Sequence, residues 1–598
     1  MLRCIVAFLF MIVISISTFA FEQPHAPLNE NISITQQQWN DLKSSAQQAN
    51  QKGDTAWMMV STALVMLMIP GLALFYGGMV RRKNVLATMM QSLVPLALVG
   101  VYWVICGYSL AFGHSKAGLI GWSSDLFCLQ GIAPDATLPG TNIPIYLHVL
   151  FQGMFAIITP ALISGAMAER IRFLPYCGFT VLWSIFVYTP LAHWVWAMDW
   201  FTSTPGVLGS GENFVGWLGA KPGAGMGALD FAGGTVVHIA AGVAGLAAVL
   251  VLPARRGYPQ NPIHPNSIIL TLLGAGLLWF GWFGFNAGSA IASSSNAVSA
   301  FMATQVSAAA AAFSWMVIEW IHRKKPTALG FALGLVAGLV AITPASGFVY
   351  PSGALFIGLI AGMVCYGAVF AKTLLRYDDS LDAFSVHGVG GFAGAILTGI
   401  FWFKTVNDPS NAAADNGLFA GGGFSQSLAQ TYAAAMAAIF SFVITFLLIK
   451  ILCIAGKLHV TPEEENDGLD VTQHGEVGLE LGVEISEAIV NSVPKQASVP
   501  PNGTKRFTLR LEGIQPDELL SKWSKLCQET DAPNPDFRAV YSHVTTVEGI
   551  RFRFRHGDPD KITEHLEKLF QNQLHDRHIR AVLESKAQDL PKNTSATA

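Results

Sequence analysis

A nine-residue pattern occurs twice in the chain, as VHIAAGVAG at residues 237–245 and as VHGVGGFAG at residues 386–394. Each copy places one histidine in a small, apolar run and a glycine four residues later. A second match, ITPA, stands at residues 158–161 and 342–345. Small residues let helix backbones approach closely, as they do in membrane proteins. The matches therefore predict two related halves built of packed membrane helices.

Charge is distributed unevenly along the 598 residues. Charged residues make up 13% of the chain, whereas about 25% is usual for a soluble protein. Residues 56–455 hold 28 charged residues, and residues 456–598 hold 40. This contrast predicts a membrane body followed by a tail of soluble composition, and the net charge of −3 gives no sign of nucleic-acid binding.

Eleven apolar stretches have the length needed to span a bilayer. Matching copies of the two patterns lie five spans apart, so they cross in opposite directions and predict an inverted five-helix repeat, with the pathway where the halves meet. The spans are predicted at residues 56–80, 85–113, 146–168, 174–196, 231–253, 267–290, 298–321, 327–346, 352–371, 382–403 and 426–455.

Loop charges predict the orientation in the inner (plasma) membrane. The loops after odd-numbered spans carry twelve lysines and arginines, and the loops after even-numbered spans carry three. Cytoplasmic loops are the basic ones, so the N-terminus is predicted to be periplasmic and the C-terminus cytoplasmic. Residues 1–20 read as a signal peptide with a membrane anchor as the alternative, and residues 21–54 read as a periplasmic lead-in.

Four ionisable residues within or at the ends of apolar spans are candidates for function: Asp230, His238, Asp382 and His387. Such groups cost several kcal/mol at membrane depth unless they face a partner or a cavity. Each aspartate precedes a histidine near a helix start, so it is a candidate cap. The histidines could share a proton across the repeat, make structural hydrogen bonds or bind a metal, although no third ligand has suitable spacing.

Tryptophans crowd the end of the fourth span, at Trp194, Trp196 and Trp200, and Phe151 and Phe155 lie one helical turn apart. A membrane-interface belt is the interpretation favoured by periodicity. A cage that binds a cation through aromatic faces is the alternative.

Several long motifs resemble the ammonium transporter (Amt) family over about residues 50–476. The stretches that match, in chain order, are GLALFYGGMVRRKN (71–84), FQGMFAIITPALISGAMAERIRF (151–173), ALDFAGGTVVHI (228–239), GWFGFNAGSA (281–290), DAFSVHGVGG (382–391) and GLDVTQHGE (468–476). The resemblance implies an all-α polytopic fold over residues 55–455, a homotrimer with one pore per subunit, and ammonium transport without enzymatic activity, cofactor or metal.

The resemblance also implies roles for individual residues. An ammonium recruitment site would use Trp196, Phe155, Ser289 and Asp230. Phe151 and Phe285 would be stacked rings that close the pore, and His238 and His387 would line it. Supporting positions would be Gln152, Trp282 and Asp382, and Gly468 and Asp470 would belong to a segment that couples subunits.

The tail beyond the membrane body is predicted in four parts: a regulatory segment at 456–476, a linker at 477–504, a small α+β domain at 505–585 and a disordered tail at 586–598. The third part alternates as β-α-β-β-α-β, which is typical of a ferredoxin-like domain. The tail could mediate nitrogen regulation through a PII-type protein or another cytoplasmic regulator, or make the protein an ammonium sensor.

Arg551, Arg553 and Arg555 alternate along one predicted strand and therefore share a face. A solvated face is the ordinary interpretation. The alternative is a site for an anion, such as a nucleotide, a lipid headgroup or partner carboxylates.

Overall fold

The computed structural model describes most of the membrane body and part of the tail. The predicted signal peptide, most of the predicted linker and the predicted disordered tail lie almost wholly outside the described residues. The chain forms two compact units, Met1–Gly482 and Val483–Ala598. The described residues are 35–219, 227–260, 263–407, 416–455, 458–479 and the backbone of 507–512, 540–546, 549–554 and 580–586.

Apolar helices build the first unit, and ten of them in the described part of the chain are long enough to cross a membrane. An additional helix, Ala328–Ile342, has only 15 residues, fewer than the ~20 that a span requires, so the prediction of eleven crossings stays a prediction. The bounds are α1 Gln36–Met79, α2 Arg82–Phe112, α3 Ile145–Met167, α4 Phe173–Trp196, α5 Gly234–Val251, α6 Ile268–Gly288, α7 Ser295–Arg323, α8 Ala328–Ile342, α9 Pro351–Leu375, α10 Phe384–Phe401 and α11 Ser425–Ala455.

Helix α1 differs most from its predicted span, because it begins at Gln36 rather than near residue 56. Thr35 accepts a hydrogen bond from the Gln38 backbone, and the Gln38 side chain bonds back to Thr35, which closes a capping box. Residues 36–53 are polar and exposed. Hydropathy detects only the apolar part of a helix, whereas the cap and the helix-favouring Gln, Lys and Ala residues extend it beyond that part.

Two helices open with a π-helical turn, and each turn contains one of the repeated histidines. His238 lies in Gly234–Ile239 of α5, and His387 lies in Phe384–Gly388 of α10. π-helical turns are uncommon in proteins as a whole, but those that occur are often found at functional sites. The repeat in the sequence therefore corresponds to a repeated local backbone structure at the histidines.

The loops predicted to be cytoplasmic meet at the buried carboxylate of Glu169. It accepts hydrogen bonds from Nε of Arg81 at 3.0 Å, Nδ2 of Asn84 at 2.8 Å and Nη1 of Arg255 at 3.2 Å. Arg255 also pairs with Asp378 at 2.7 Å. Arg81 and Arg255, two of the twelve basic residues that predict the orientation, thus belong to an ion-pair network that joins the loops after α1, α3, α5 and α9.

Neutralising Glu169 is expected to destabilise the protein. Burial raises the pKa of this carboxyl, but Arg255 and Arg81 outweigh burial and hold the pKa below its ordinary value. The pKa of Glu169 is lower in the folded protein than in the unfolded chain, where it has the ordinary value of about 4.5. The carboxylate therefore stabilises the fold above pH 4.5, and this stabilisation is lost as the pH falls through the pKa of the folded protein. Removing one partner of a buried ion pair costs about 3–5 kcal/mol. Glu169→Gln should therefore lower the Tm in detergent, whereas Glu212→Gln in an exposed loop should not, and an equal Tm for both variants would refute the role of the network.

The regulatory segment predicted at 456–476 packs on the loop after α1. A short helix, Pro462–Asp467, precedes Gly468, whose φ of +102° suits glycine. The Asp470 side chain accepts a hydrogen bond from the Ala87 backbone at 2.8 Å. Glu465 pairs with Arg81 at 2.9 Å, so this segment connects directly to the ion-pair network.

The second unit contains a four-stranded antiparallel sheet. Its four strands agree in number with the predicted β-α-β-β-α-β pattern, and their order across the sheet is β4-β5-β3-β6. The two predicted helices lie outside the described residues, so the ferredoxin-like domain stays a prediction. The strands of the whole chain are β1 Ser115–Lys116, β2 Ile120–Gly121, β3 Phe507–Glu512, β4 Val540–Thr546, β5 Gly549–Phe554 and β6 Arg580–Lys586.

Candidate functional site

The repeated histidines meet in the interior of the membrane body. Nδ1 of His238 lies 3.3 Å from Nδ1 of His387, and the two buried rings are inclined by only 18°. At this distance one Nδ1 must carry the hydrogen that the other accepts. Among the described residues, no group of three or more His, Cys, Asp or Glu side chains could hold a metal ion.

A narrow cavity of about 10 Å³ borders the histidine pair. That volume accommodates about one water-sized molecule. Apart from the imidazoles, the side chains around it are apolar or aromatic, so a bare ion would find little to replace its water. The lining residues are Met68, Leu72, Phe75, Ile158, Leu162, Val237, His238, Leu278, Trp282, Phe285, Val336 and His387.

Glycines four residues after each histidine allow the two helices to approach. A Cβ on Gly391 would lie 3.1 Å from Cβ of His238 and 3.0 Å from the carbonyl oxygen of Gly234. A Cβ on Gly242 would lie 2.9 Å from the carbonyl carbon of His387. The glycine in each copy of the pattern thus makes room for the histidine helix of the other copy.

Adding one methyl group at this contact is expected to separate the histidines. Gly391→Ala must displace the α5 backbone, because the new Cβ would meet backbone and Cβ atoms rather than a flexible side-chain end. Overpacking costs about 1–3 kcal/mol, and the 3.3 Å contact should lengthen. Ammonium uptake into liposomes, the activity that the sequence resemblance implies, should fall about tenfold or more. Gly367→Ala is the control, because a Cβ at Gly367 in the same membrane body would meet no atom within 4 Å. An equal loss of transport in both variants would contradict this explanation.

Asp230 caps the turn that carries His238. Its carboxylate accepts four backbone hydrogen bonds of 2.6–3.1 Å, from Gly233, Gly234, Thr235 and Val236. A helix N-terminus presents unpaired N–H groups and a partial positive charge, so a carboxylate stabilises it. The cap therefore fixes the backbone from which the histidine projects.

The prediction that Asp382 caps the other histidine helix is wrong, because Asp379 does so. Asp379 accepts hydrogen bonds from the Ala383 and Phe384 backbones at 3.1 and 2.8 Å. Asp382 instead pairs with Lys372 and has a φ of +60°. Asp379 stands eight residues before His387, as Asp230 stands eight residues before His238. This equal spacing is the signal in the sequence that would have identified the equivalent aspartate.

Aromatic rings connect Trp196 to the histidine pair. Trp196 meets Phe155 edge-on at 5.9 Å between ring centroids, and Phe155 stacks on Phe285 at 4.2 Å. The Phe285 ring lies 6.0 Å from that of His238. These contacts form an aromatic column, defined by Trp196, Phe155, Phe285 and His238, that ends at the cavity.

The predicted stack of Phe151 on Phe285 is also wrong. Phe155 holds that place, and Phe151 contacts the edge of Phe155 at 4.9 Å. A Cβ on Gly288 would lie 2.9 Å from the Phe151 ring, which places Phe151 against the end of α6. Both phenylalanines lie on one face of α3, one turn apart, so their spacing alone cannot show which one meets α6.

The tryptophans near the end of α4 have different surroundings, and a lipid-facing belt is wrong for two of them. Trp194 and Trp200 are buried, the first against Phe440 and the second against His148. Of these three tryptophans, Trp196 is the one that belongs to the aromatic column, where it meets Phe155 edge-on. Its Nε1 donates to the backbone oxygen of Asp230 at 2.8 Å, so the orientation of the indole is fixed.

The remaining predicted residues lie beside these groups. Trp282 is parallel to His238 at 5.3 Å, and its Nε1 donates to Oγ1 of Thr343, which holds the indole in place. The Ser289 hydroxyl donates to the Phe285 backbone oxygen at 2.8 Å, which leaves its lone pairs available as acceptors. Oε1 of Gln152 is buried without a hydrogen-bond partner among the described residues. Thr343 belongs to the second ITPA copy, and that repeated motif is the signal in the sequence that could have identified it.

Comparison with known proteins places the membrane body among ammonium transporters. The Ammonium Transporter Family model matches residues 56–479. An ammonium transporter of Bacillus subtilis is 47% identical over 429 residues, which is 71% of this chain and 98% of that protein. The crystal structure of Saccharomyces cerevisiae Mep2 is similar with 34% identity and a TM-score of 0.58, covering 69% of this chain and 88% of that one. A structure described as a sensor Amt protein has 31% identity and a TM-score of 0.62, and covers 71% and 99% of the two chains.

The match of the family model spans well over half of the chain, and it contains the histidine pair, both capping aspartates and the whole aromatic column. The chain therefore belongs to the ammonium transporter family.

Proposed function

We propose that the protein transports ammonium by binding the ion at the aromatic column and conducting ammonia past the histidine pair. The observation that carries the proposal is the contact between His238 and His387 in an apolar cavity at the end of that column. A polar pair with apolar walls suits a small neutral molecule that forms hydrogen bonds.

Recruitment uses Trp196 and Ser289, with Phe155 as a further aromatic wall. The face of an indole attracts a desolvated cation by about 0.5–2 kcal/mol. The Ser289 oxygen can accept an N–H from ammonium because its own hydrogen is already donated to Phe285. Asp230 supports the site through its negative charge and its hydrogen bonds to the backbone, without binding the ion directly.

Selectivity follows from the loss of a proton. Ammonium and potassium have the same charge and similar size, so a cation site alone separates them poorly. Beyond the stacked rings of Phe155 and Phe285 the cavity offers little to replace the water around a cation. Ammonium can give a proton to water at the outer end of the column and continue as ammonia, whereas potassium has no proton to lose.

The histidine pair fits ammonia in a specific way. When one neutral ring donates its Nδ1 hydrogen to the other, its own Nε2 is an acceptor and the Nε2 of the second ring is a donor. Ammonia has three N–H donors and one lone pair, so it can bond to both kinds of nitrogen. The Nδ1 contact thus gives the two rings complementary roles along the pore.

Reconstitution in liposomes tests this function. An inward ammonium gradient should produce transport that an equal potassium gradient does not produce, with empty liposomes as the control. Transport of potassium at a comparable rate, or no response to ammonium from a folded preparation, would refute the proposal.

The assembly and orientation belong to the same proposal. By family resemblance the protein is a homotrimer in the inner membrane, with Trp196 on the periplasmic side and the ion-pair network on the cytoplasmic side. Gly468 and Asp470 would then pass conformational changes between subunits, since Asp470 already contacts the first turns of α2. A PII-type protein or another cytoplasmic regulator would act through this segment.

The second candidate function is ammonium sensing, favoured by the likeness to the structure described as a sensor Amt protein. Deleting residues 483–598 removes the second unit and keeps the contact between Arg82 and the Leu479 carbonyl. If the second unit regulates transport, ammonium currents should change in size or onset. Unchanged currents together with a lost cellular response to ammonium would favour the sensor and contradict direct regulation.

A further inference from the structure

The register of the C-terminal sheet brings three arginines together on one face. Arg551 and Arg553 are alternate residues of β5, and Arg510 of β3 is directly opposite Arg551. Alternate residues of a strand lie ~7 Å apart, and directly opposite residues lie ~5 Å apart. The three positions therefore form a compact triangle, called here the arginine triangle. The alternation along β5 alone showed only two of its members, and Arg555, the third arginine of the predicted strand, lies outside the described residues.

Placing like charges opposite each other destabilises a sheet unless something compensates them. Two acidic strand residues belong to this face: Glu512 stands opposite Arg580, and Glu584 follows Val582 by two positions at the bulge in β6. Arg510 and Arg551 have each other as direct partners across β3 and β5. Within the described strands, four arginines thus share this face with two glutamates, and the remaining positive charge is available for an external anion.

The opposite face of the sheet has the composition of a core. Phe507, Leu509 and Leu511 of β3 stand opposite Phe554, Phe552 and Ile550 of β5. One face must pack on the rest of the domain, and the hydrophobic effect selects this apolar one. The face with the arginine triangle is therefore the face available for binding.

We propose that the arginine triangle binds the phosphate groups of a soluble nucleoside polyphosphate. Arginine binds phosphate through two parallel hydrogen bonds and keeps its charge at any physiological pH. A triangle with sides of ~5–8 Å can surround two or three linked phosphates. Clusters of 4–8 basic residues bind anionic lipid surfaces, but the four arginines here share their face with two glutamates, which would repel such a surface, so a soluble ligand fits better. This inference is independent of the transport mechanism.

Equilibrium binding of radiolabelled ATP to the full-length protein in neutral detergent tests the proposal. ATP should bind, and inorganic tripolyphosphate should displace it, because the phosphates provide the recognised chemistry. Higher salt should weaken binding, since exposed charges are screened. The double variant Arg551→Gln/Arg553→Gln should lose about tenfold or more in affinity, because charged hydrogen bonds are lost.

Lys586→Glu provides the matched control. Lys586 stands opposite Phe507, which the register assigns to the other face, so its charge change should leave ATP affinity unchanged. Arg510→Gln removes a single member from another strand and keeps the test decisive if the double variant fails to fold. Ammonium currents report whether the membrane body of each variant is intact.

The outcomes separate the sources of phosphate. Loss of ATP affinity in the arginine variants but not in Lys586→Glu supports the proposal. Equal ATP affinity in all variants, or no binding of ATP and tripolyphosphate, overturns it. Arginine-dependent binding of phosphatidylglycerol added to the micelles, without ATP binding, also overturns it and assigns the triangle to a lipid headgroup.

Discussion

Replacing His387 with alanine is expected to lower the ratio of ammonium to potassium current at least about tenfold. The change removes one partner of the 3.3 Å contact with His238 and enlarges a cavity of about 10 Å³. A larger cavity that keeps a polar imidazole can hold water, and water lowers the cost of admitting a cation. A tenfold change corresponds to about 1.4 kcal/mol, which is within the cost of one unsatisfied buried polar group.

Currents from proteoliposomes under equal gradients of ammonium or potassium measure this ratio. His322→Ala is the control, because His322 is exposed at the end of α7, where its Nδ1 contacts the Tyr366 hydroxyl, and does not border the cavity. Unchanged selectivity in His387→Ala would contradict the role of the pair. Equal loss of selectivity in both variants would indicate a general effect of losing a histidine.

Asp230→Asn is expected to reduce ammonium transport about a hundredfold or more. Asparagine replaces one acceptor oxygen by an NH₂ group, which is a donor and cannot accept hydrogen bonds from the backbone N–H groups that it faces. Two buried donors without partners cost about 1–3 kcal/mol each, and the negative charge that supports recruitment is lost. The turn that carries His238 should shift, and the apparent affinity for ammonium should fall.

Asp379→Asn separates the capping role from the recruitment role. It disturbs the cap of the His387 turn, so both Asp379→Asn and Asp230→Asn should lower the Tm. It lies at the other end of the pathway, so the apparent KM for ammonium should change less. Asp199→Asn is the control, since Asp199 accepts a backbone hydrogen bond from Asn213 in an exposed loop. Equal increases of the apparent KM in both cap variants would show that Asp230 has no role in ammonium recruitment beyond capping its helix.

The errors of the sequence analysis have a common cause. Asp379 and Asp382 are three residues apart, and Phe151 and Phe155 are four apart. Within each pair, both residues have the type that the function requires. For the aspartates, the choice depends on the backbone just before the π-helical turn Phe384–Gly388, and for the phenylalanines it depends on how α3 packs against α6. Local sequence therefore narrowed the choice to neighbours, and the contacts between distant helices selected one of them.

Hydropathy, loop charge and the repeated VH motif were sufficient to predict the apolar helices within a few residues, apart from the polar start of α1, and to identify both histidines. These features depend on composition and local spacing, because a bilayer admits only long apolar segments whose backbone bonds are satisfied internally. The tertiary structure alone brought His238 within 3.3 Å of His387, stacked Phe155 on Phe285, and paired Arg510 with Arg551 in the C-terminal sheet. Each of these contacts joins residues far apart in the chain, and their distance and orientation depend on how whole helices and strands pack.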